Sequence, residues 1–474
     1  MNAEQSPMHD YDLVVIGSGP AGQRAAVQAA KLSERVAIVE RLPSLGGVCI
    51  LTGTIPSKTF REAVLMTTNS TAFRLDQTTG HSPAMAEVLE RVQEVMMAEV
   101  RVIKNQMSRN GVELLRGTGR FISSNELEIR AMTDVRRVTA ENFLIAVGTR
   151  PSAPEGVPVD GRVVMTSDEV LAMEHLPRSM AVVGGGVIGV EYATFFARLG
   201  VEVTLIDRNE RPIGFIDHEI VDELVHQMKR DGVTFHLNDG VETIKVLHEE
   251  TPCAELELRS GVRFKADTVL YSIGRTAATD TLDLETIGLP TDGRGRVTVN
   301  ENYQTEVEHI WAAGDVIGFP ALAATSSEQG RIAACRMFGV KSPDMGRNYP
   351  YGIYSIPEIS MVGTTEDELT EKKQDYVVGV ARYREIARGQ ILGDDTGLFK
   401  MIFDKRTRAL LGVHCIGTGA TELVHVGQAV LKLGGGLDYF LETVFNYPTL
   451  AECYKVAAYD AANKLGYVPE ELAE

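Results

Sequence analysis

Apolar runs suited to buried parallel strands recur along this chain. Each gives way to a glycine-rich turn or to a segment whose apolar positions return every three to four residues. The first run is Tyr11-Asp12-Leu13-Val14-Val15-Ile16. Gly17-Ser18-Gly19-Pro20-Ala21-Gly22 follows, then a helical pattern to about Leu32, then a strand from Arg35 to Val39 that ends at Glu40. The same order returns later: a strand from Ser179 to Val183, the turn Gly184-Gly185-Gly186-Val187-Ile188-Gly189, a helix to about Arg198, and a strand from Val201 to Ile206 that ends at Asp207. First glycine and terminal acid are 23 positions apart in both copies.

Each copy predicts a βαβ unit that holds a dinucleotide. Gly17 and Gly184 permit the tight turn, and Gly19 and Gly186 let a pyrophosphate approach the backbone. Gly22 and Gly189 let helix and strand pack closely, and the helix N-terminus faces the phosphates. Glu40 and Asp207 are placed to accept hydrogen bonds from a ribose. One glycine triplet is weak evidence, whereas two copies in full strand–turn–helix–strand context are strong. Two such units imply two dinucleotides. A flavin and a nicotinamide are the natural pair, because hydride passes between them.

Two further segments resemble the later FAD-domain motifs of two-dinucleotide flavoproteins. One is the strand from Glu141 that runs into a turn at Gly148; the other is the strand from His309 that ends at Gly314-Asp315. By that resemblance Asp315 would bind the flavin ribityl chain. The expected architecture is α/β: an FAD domain with an inserted NAD(P) domain, plus a C-terminal α+β domain resembling the dimerisation domain of that superfamily. Residues 1–153 form the first FAD segment, 154–280 the NAD(P) domain, 281–348 the second FAD segment, and 349–474 the interface domain. Pro151, Pro154 and Pro158 mark the first linker, and Gly274-Arg275 the return crossover. A helical pattern from Pro83 to Asn110 carries Met85, Val88, Leu89, Val92, Val95, Met96, Ile103 and Met107 on one stripe, which reads as core. The C-terminal part alternates short strands with helices near Glu422–Leu433 and Leu450–Leu465.

The net charge of −18 disfavours nucleic-acid backbones and anionic membranes as partners. Met1–Asp10 shows no secretory pattern, and no apolar run approaches the length of a membrane span. The five cysteines are scattered without metal-ligand spacing, so no metal site is expected and a reducing cytosol fits.

Cys49 lies in Gly46-Gly47-Val48-Cys49-Ile50-Leu51-Thr52-Gly53-Thr54-Ile55-Pro56-Ser57-Lys58, which resembles the redox-active segment of the flavoprotein disulfide reductases. Those carry a second cysteine five residues on; here the position is Thr54, whose hydroxyl cannot form a disulfide. Near the C-terminus, Phe445-Asn446-Tyr447-Pro448-Thr449-Leu450-Ala451-Glu452 matches their His-Pro-Thr-x-x-Glu segment with Tyr447 in place of the histidine and Glu452 retained. A tyrosine, with an ordinary pKa of about 10, is a poor base near neutral pH. Dithiol and base are missing together. Pro56 suits an early helix position and Ser57 a nearby cap. The resemblance places Lys58 near the flavin and pairs it with Glu191, so that Lys58 would stabilise negative charge on reduced flavin and Glu191 would orient the nicotinamide. Cys49 is either a packing residue or a peroxidatic thiol. Asp207 suits an unphosphorylated ribose, while Arg208 and Arg211 suit a 2′-phosphate, which leaves NAD, NADP or both open.

With no thiol exit, electrons that enter as hydride can leave as hydride at the same site. Over essentially its whole length the chain resembles the soluble pyridine nucleotide transhydrogenases. The Gly53–Lys58 and Phe445–Thr449 segments carry the likeness, with Gly314-Asp315-Val316-Ile317-Gly318-Phe319-Pro320 and Gly352-Ile353-Tyr354-Ser355-Ile356-Pro357-Glu358. The resemblance implies Si-specific, FAD-dependent transfer between NADPH and NAD+, a cytoplasmic location, and a homodimer or larger homo-oligomer. The alternatives are an NAD(P)H-dependent flavin reductase or oxidase acting on quinone or peroxide, and a dihydrolipoyl dehydrogenase.

Overall fold

The computed structural model describes residues 8–68, 85–152, 156–346 and 348–466. Pro83 and Pro154 lie outside the described residues.

The first strand, Tyr11–Ile16, pairs in parallel with Val36–Glu40 on one side and Val135–Ile145 on the other. Ile310–Ala312 joins the far edge of Val135–Ile145, also in parallel, so a segment late in the sequence completes the first sheet. Leu13, Val14 and Val15 are fully buried, as an uninterrupted apolar strand covered on both faces must be. The second unit repeats the plan in a five-stranded sheet whose centre is Ser179–Val183 between Glu202–Ile206 and Thr268–Tyr271. A two-stranded ribbon, Thr149–Pro151 against Arg275–Ala277, carries the chain out to this unit and back. The C-terminal part is a five-stranded antiparallel sheet backed by Ala420–Leu433 and Glu452–Leu465.

Helix Met85–Arg109 realises the expected stripe: Met85, Val88, Val92, Ile103 and Met107 are buried. It packs on helix Thr54–Thr68, whose Phe60 stands within 6.2 Å of the rings of Tyr192, Phe195 and Phe196 on helix Val187–Arg198. This aromatic cluster fixes the two helices side by side and so sets where Lys58 and Glu191 meet. Helix Thr54–Thr68 begins earlier than its capping pattern suggested. Ser57 lies inside the first turn and donates to the Thr54 carbonyl (3.3 Å), so it is no cap.

The C-terminal sheet is tied to the second unit by a buried charge cluster. Lys400 (1 % exposed) donates to both carboxylate oxygens of Asp217, at 2.9 and 3.1 Å, and pairs with Glu219 and Glu366. These three carboxylates converge as metal ligands would, but the lysine ammonium occupies their centre. No helix among the described residues is long and apolar enough to cross a membrane.

Candidate active site

A cavity of about 640 Å³ runs between the first sheet, helix Val187–Arg198 and the C-terminal part. Its walls bring together Gly17, Gly19, Glu40, Lys58, Gly148, Glu191 and Asp315 from widely separated segments. Gly22, Gly184, Gly186, Gly189, Asp207, Arg208 and Gly274 lie outside its lining; Gly22 supports its glycine loop from behind.

The glycine loops have the geometry their spacing requires. A Cβ on Gly22 would stand 2.0 Å from the Gly17 carbonyl oxygen, and one on Gly189 would stand 1.9 Å from that of Gly184. A Cβ on Gly19 or Gly186 would meet nothing within 4 Å, which leaves each loop open at the start of its helix. Neither helix has an acidic residue in its first turn to compete with a phosphate. The first loop opens on the cavity, and the residues there fit FAD: a pyrophosphate cradle at one end and a half-buried carboxylate, Asp315, at the other. Asp315 stands just before helix Ala323–Met337 and accepts from Ser326 Oγ (3.0 Å). Burial pushes its carboxyl up, against that hydrogen bond and the Arg275 charge.

The two terminal acids are engaged within their own loops. Glu40 is buried and accepts from Ser18 N–H (3.1 Å), Ser18 Oγ (2.5 Å) and Leu42 N–H (2.8 Å). Asp207 accepts from Gly185 N–H and from Asn209 N–H (2.7 Å). Arg208 is exposed beside Gly240, whereas Arg211 is paired with Asp222 at 3.0 Å. Gly148 and Gly274 both take positive φ, at +64° and +125°, where the connecting ribbon meets the two units.

Lys58 and Glu191 form the charged centre. Lys58 Nζ donates to both Glu191 oxygens at 2.8 Å and sits 4.9 Å from the centre of the Tyr354 ring. The Glu191 side chain is 3 % exposed and that of Lys58 25 %, so the ammonium is the half that opens on the cavity. Tyr354 N–H also donates to Glu191 (2.9 Å), which ties the pair to the C-terminal part. Cys49 and Thr54 line the same cavity. Burial pushes the Cys49 thiol up, so it stays protonated at neutral pH. Tyr447 is 69 % exposed and lies outside the cavity lining of its own chain.

Sequence reasoning missed Arg275, Asp168 and Tyr354 as site residues. Arg275 lines the cavity, donates to Thr149 Oγ1 (2.8 Å) and the Thr149 carbonyl (3.0 Å), and faces Asp168 at 3.9 Å. Burial raises the Asp168 carboxyl, and Arg275 opposes that shift. The one signal available was an arginine directly after the crossover glycine, a costly place for a charge without a partner. His425, on helix Ala420–Leu433, is exposed and bonded to Gln428, and it stands on the cavity rim.

Comparison with known proteins gives the same outline. Residues 11–330 match the pyridine nucleotide-disulphide oxidoreductase model, and residues 349–458 match the dimerisation domain of those proteins. The chain belongs to the pyridine nucleotide-disulphide oxidoreductase family. It is 49 % identical over 463 residues to the soluble pyridine nucleotide transhydrogenase of Mycobacterium bovis, covering 97 % of this chain and 98 % of the relative. It is 42 % identical to that of Marinobacter nauticus, covering 96 % and 99 %. Among solved structures it is similar to the HOCl-induced flavoprotein disulfide reductase RclA from Escherichia coli, with a TM-score of 0.86 at 26 % identity over 95 % of this chain and 99 % of that one. LpdA from Mycobacterium tuberculosis shares the fold, with a TM-score of 0.86 at 24 % identity over 94 % and 99 %.

Proposed function

We propose that this protein exchanges hydride between NADPH and NAD+, with the two nucleotides using one nicotinamide site in turn. The observation that carries the proposal is that Cys49 and Thr54, the latter where a second thiol would stand, line a cavity that retains the Lys58–Glu191 pair. FAD, when bound, supplies the two-electron store between donor and acceptor. The first glycine loop, Glu40, Gly148 and Asp315 hold it. Lys58 presents a fixed positive charge to the cavity, and Glu191 holds that ammonium and orients the nicotinamide. The second glycine loop takes the pyrophosphate of either nucleotide, and Gly274 borders its path.

Both nucleotides are accepted because Asp207 is turned onto Gly185 while Arg208 is exposed beside the loop: a ribose or a 2′-phosphate then meets a site committed to neither. The match to a dimerisation domain supports a homo-oligomer. A peroxidatic route through Cys49 is disfavoured, because a half-buried thiol held in its protonated form is a weak nucleophile. The test is an initial-rate study with NADPH as donor and thio-NAD+ as acceptor. Parallel double-reciprocal lines are expected; intersecting lines would exclude exchange through one shared site.

A further inference from the structure

Phe215, Phe319, Tyr349 and Tyr351 form one contiguous patch of rings. Phe215 lies 5.5 Å from Tyr351, Phe319 lies 6.3 Å from Tyr351 and 6.4 Å from Tyr349, and the two tyrosines are 5.8 Å apart. Phe319 is 75 % exposed and Phe215 47 %. Exposed rings gathered from three separate stretches of chain mark a contact surface, because scattered single residues are the ordinary case.

The position of the patch says what it contacts. Phe215 projects from a turn laid on the second glycine loop, where Ile213 N–H donates to the Gly185 carbonyl (2.8 Å). Ile213 holds a φ of +42°, rare for a β-branched residue, so the turn is held against its own preference. Its far end is fixed by Asp217, which Lys400 clamps at 2.9 Å. On the other side, Pro350 and Gly352, which flank Tyr351, line the cavity, as does Ala321, two residues past Phe319. The patch spans from the loop that faces a pyrophosphate to the rim of the chamber that holds Lys58 and Glu191.

We infer that Phe215, Tyr351 and Phe319 form the packing surface for the nicotinamide-riboside segment of an incoming pyridine nucleotide. This rests on the hydride-exchange reading above. That segment is identical in NADP+ and NAD+, which differ only by the 2′-phosphate on the adenosine ribose. A surface built against it strengthens both nucleotides equally and leaves the choice between them to Asp207 and Arg208.

The experiment is calorimetric titration of FAD-loaded wild type, Phe215→Ala, Phe319→Ala and Phe215→Tyr with NADP+ and with NAD+, with FAD content and sedimentation measured alongside. Both alanine variants should weaken both nucleotides by about three- to tenfold, the scale of one aromatic contact. The NADP+ to NAD+ ratio and the FAD content should be unchanged, and Phe215→Tyr should bind as wild type. Unchanged Kd values in both alanine variants would overturn the inference. Altered sedimentation with unchanged Kd would make the patch an assembly contact and would also overturn it. The readout is binding, so wild type that binds nucleotides without exchanging hydride would refute the proposed function while these Kd comparisons still decide the role of the patch.

Discussion

Replacing Lys58 with methionine removes the positive half of a pair in which both Glu191 oxygens lie 2.8 Å from the ammonium. At that distance unit charges attract by about 6 kcal/mol in a medium of effective dielectric ~20. Desolvation of Glu191 cancels much of this, and Lys58, a quarter exposed, is partly screened by water. A net coupling of about 2 kcal/mol remains, in the range of hydrogen bonds to charged groups. Lys58→Met leaves a nearly buried carboxylate with the Tyr354 N–H as its remaining donor. The double variant with Glu191→Gln should therefore lose less stability than the two single variants summed, by about 2 kcal/mol. Urea unfolding of the FAD-loaded protein, followed at Trp311, the one tryptophan of the chain, measures all four corners of the cycle. The exchange rate of Lys58→Met with FAD still bound should fall about a hundredfold, the scale set by losing one positioned electrostatic donor. Stabilities additive to within about 0.5 kcal/mol, together with an unchanged exchange rate, would refute the reasoning.

Cys49→Ser should keep its FAD and its exchange rate, and wild-type Cys49 should react slowly with iodoacetamide at pH 7; collapse of exchange in the serine variant would restore a redox role for the thiol. Lys400→Met should cost about 3–5 kcal/mol, because it leaves Asp217 buried without its cation, and adding Asp217→Asn should recover part of the loss, as read from urea midpoints. Burial would lower the Lys400 ammonium, but Asp217 and Glu366 push it above its ordinary range; burial would raise the Asp217 carboxyl, but its surroundings, Lys400 included, hold it below the carboxylate range. A raised lysine loses its contribution only as pH climbs through its folded value, and a depressed carboxylate only as pH falls through its own. The cluster's contribution should thus be flat from about pH 5 to 9 and absent in the methionine variant throughout. Gly189→Ala, whose Cβ would meet the Gly184 oxygen at 1.9 Å, should abolish nucleotide binding in calorimetry while the absorbance of bound FAD persists.

The βαβ units were legible because their chemistry is local. A buried strand, a glycine that must admit a neighbouring carbonyl and a helix that follows at once all lie within 23 positions, and the close approaches at Gly22 and Gly189 follow from that spacing. Lys58 and Glu191 were paired through likeness to a family; their spacing of 133 residues carries no signal of its own. What stayed hidden depends on which distant surfaces meet. The Tyr354 N–H reaches Glu191 across 163 residues, and Lys400 reaches Asp217 across 183. Arg211, a plausible phosphate clamp in sequence, is held by Asp222 one helix turn into the next element, a partner that the charge pattern alone did not single out. Ser57 failed as a cap because the helix starts at Thr54, close behind the five-residue helix Gly47–Leu51.

The central claim is that two electrons enter and leave this protein through one nicotinamide site without a thiol relay. Anaerobic stopped-flow measurement of the two half-reactions tests it most directly, with the Cys49→Ser protein run beside wild type. The account predicts that one equivalent of NADPH bleaches the bound flavin, that NAD+ added afterwards restores its colour with formation of NADH, and that both proteins behave alike. Bleaching that NAD+ cannot reverse, in wild type, would contradict it.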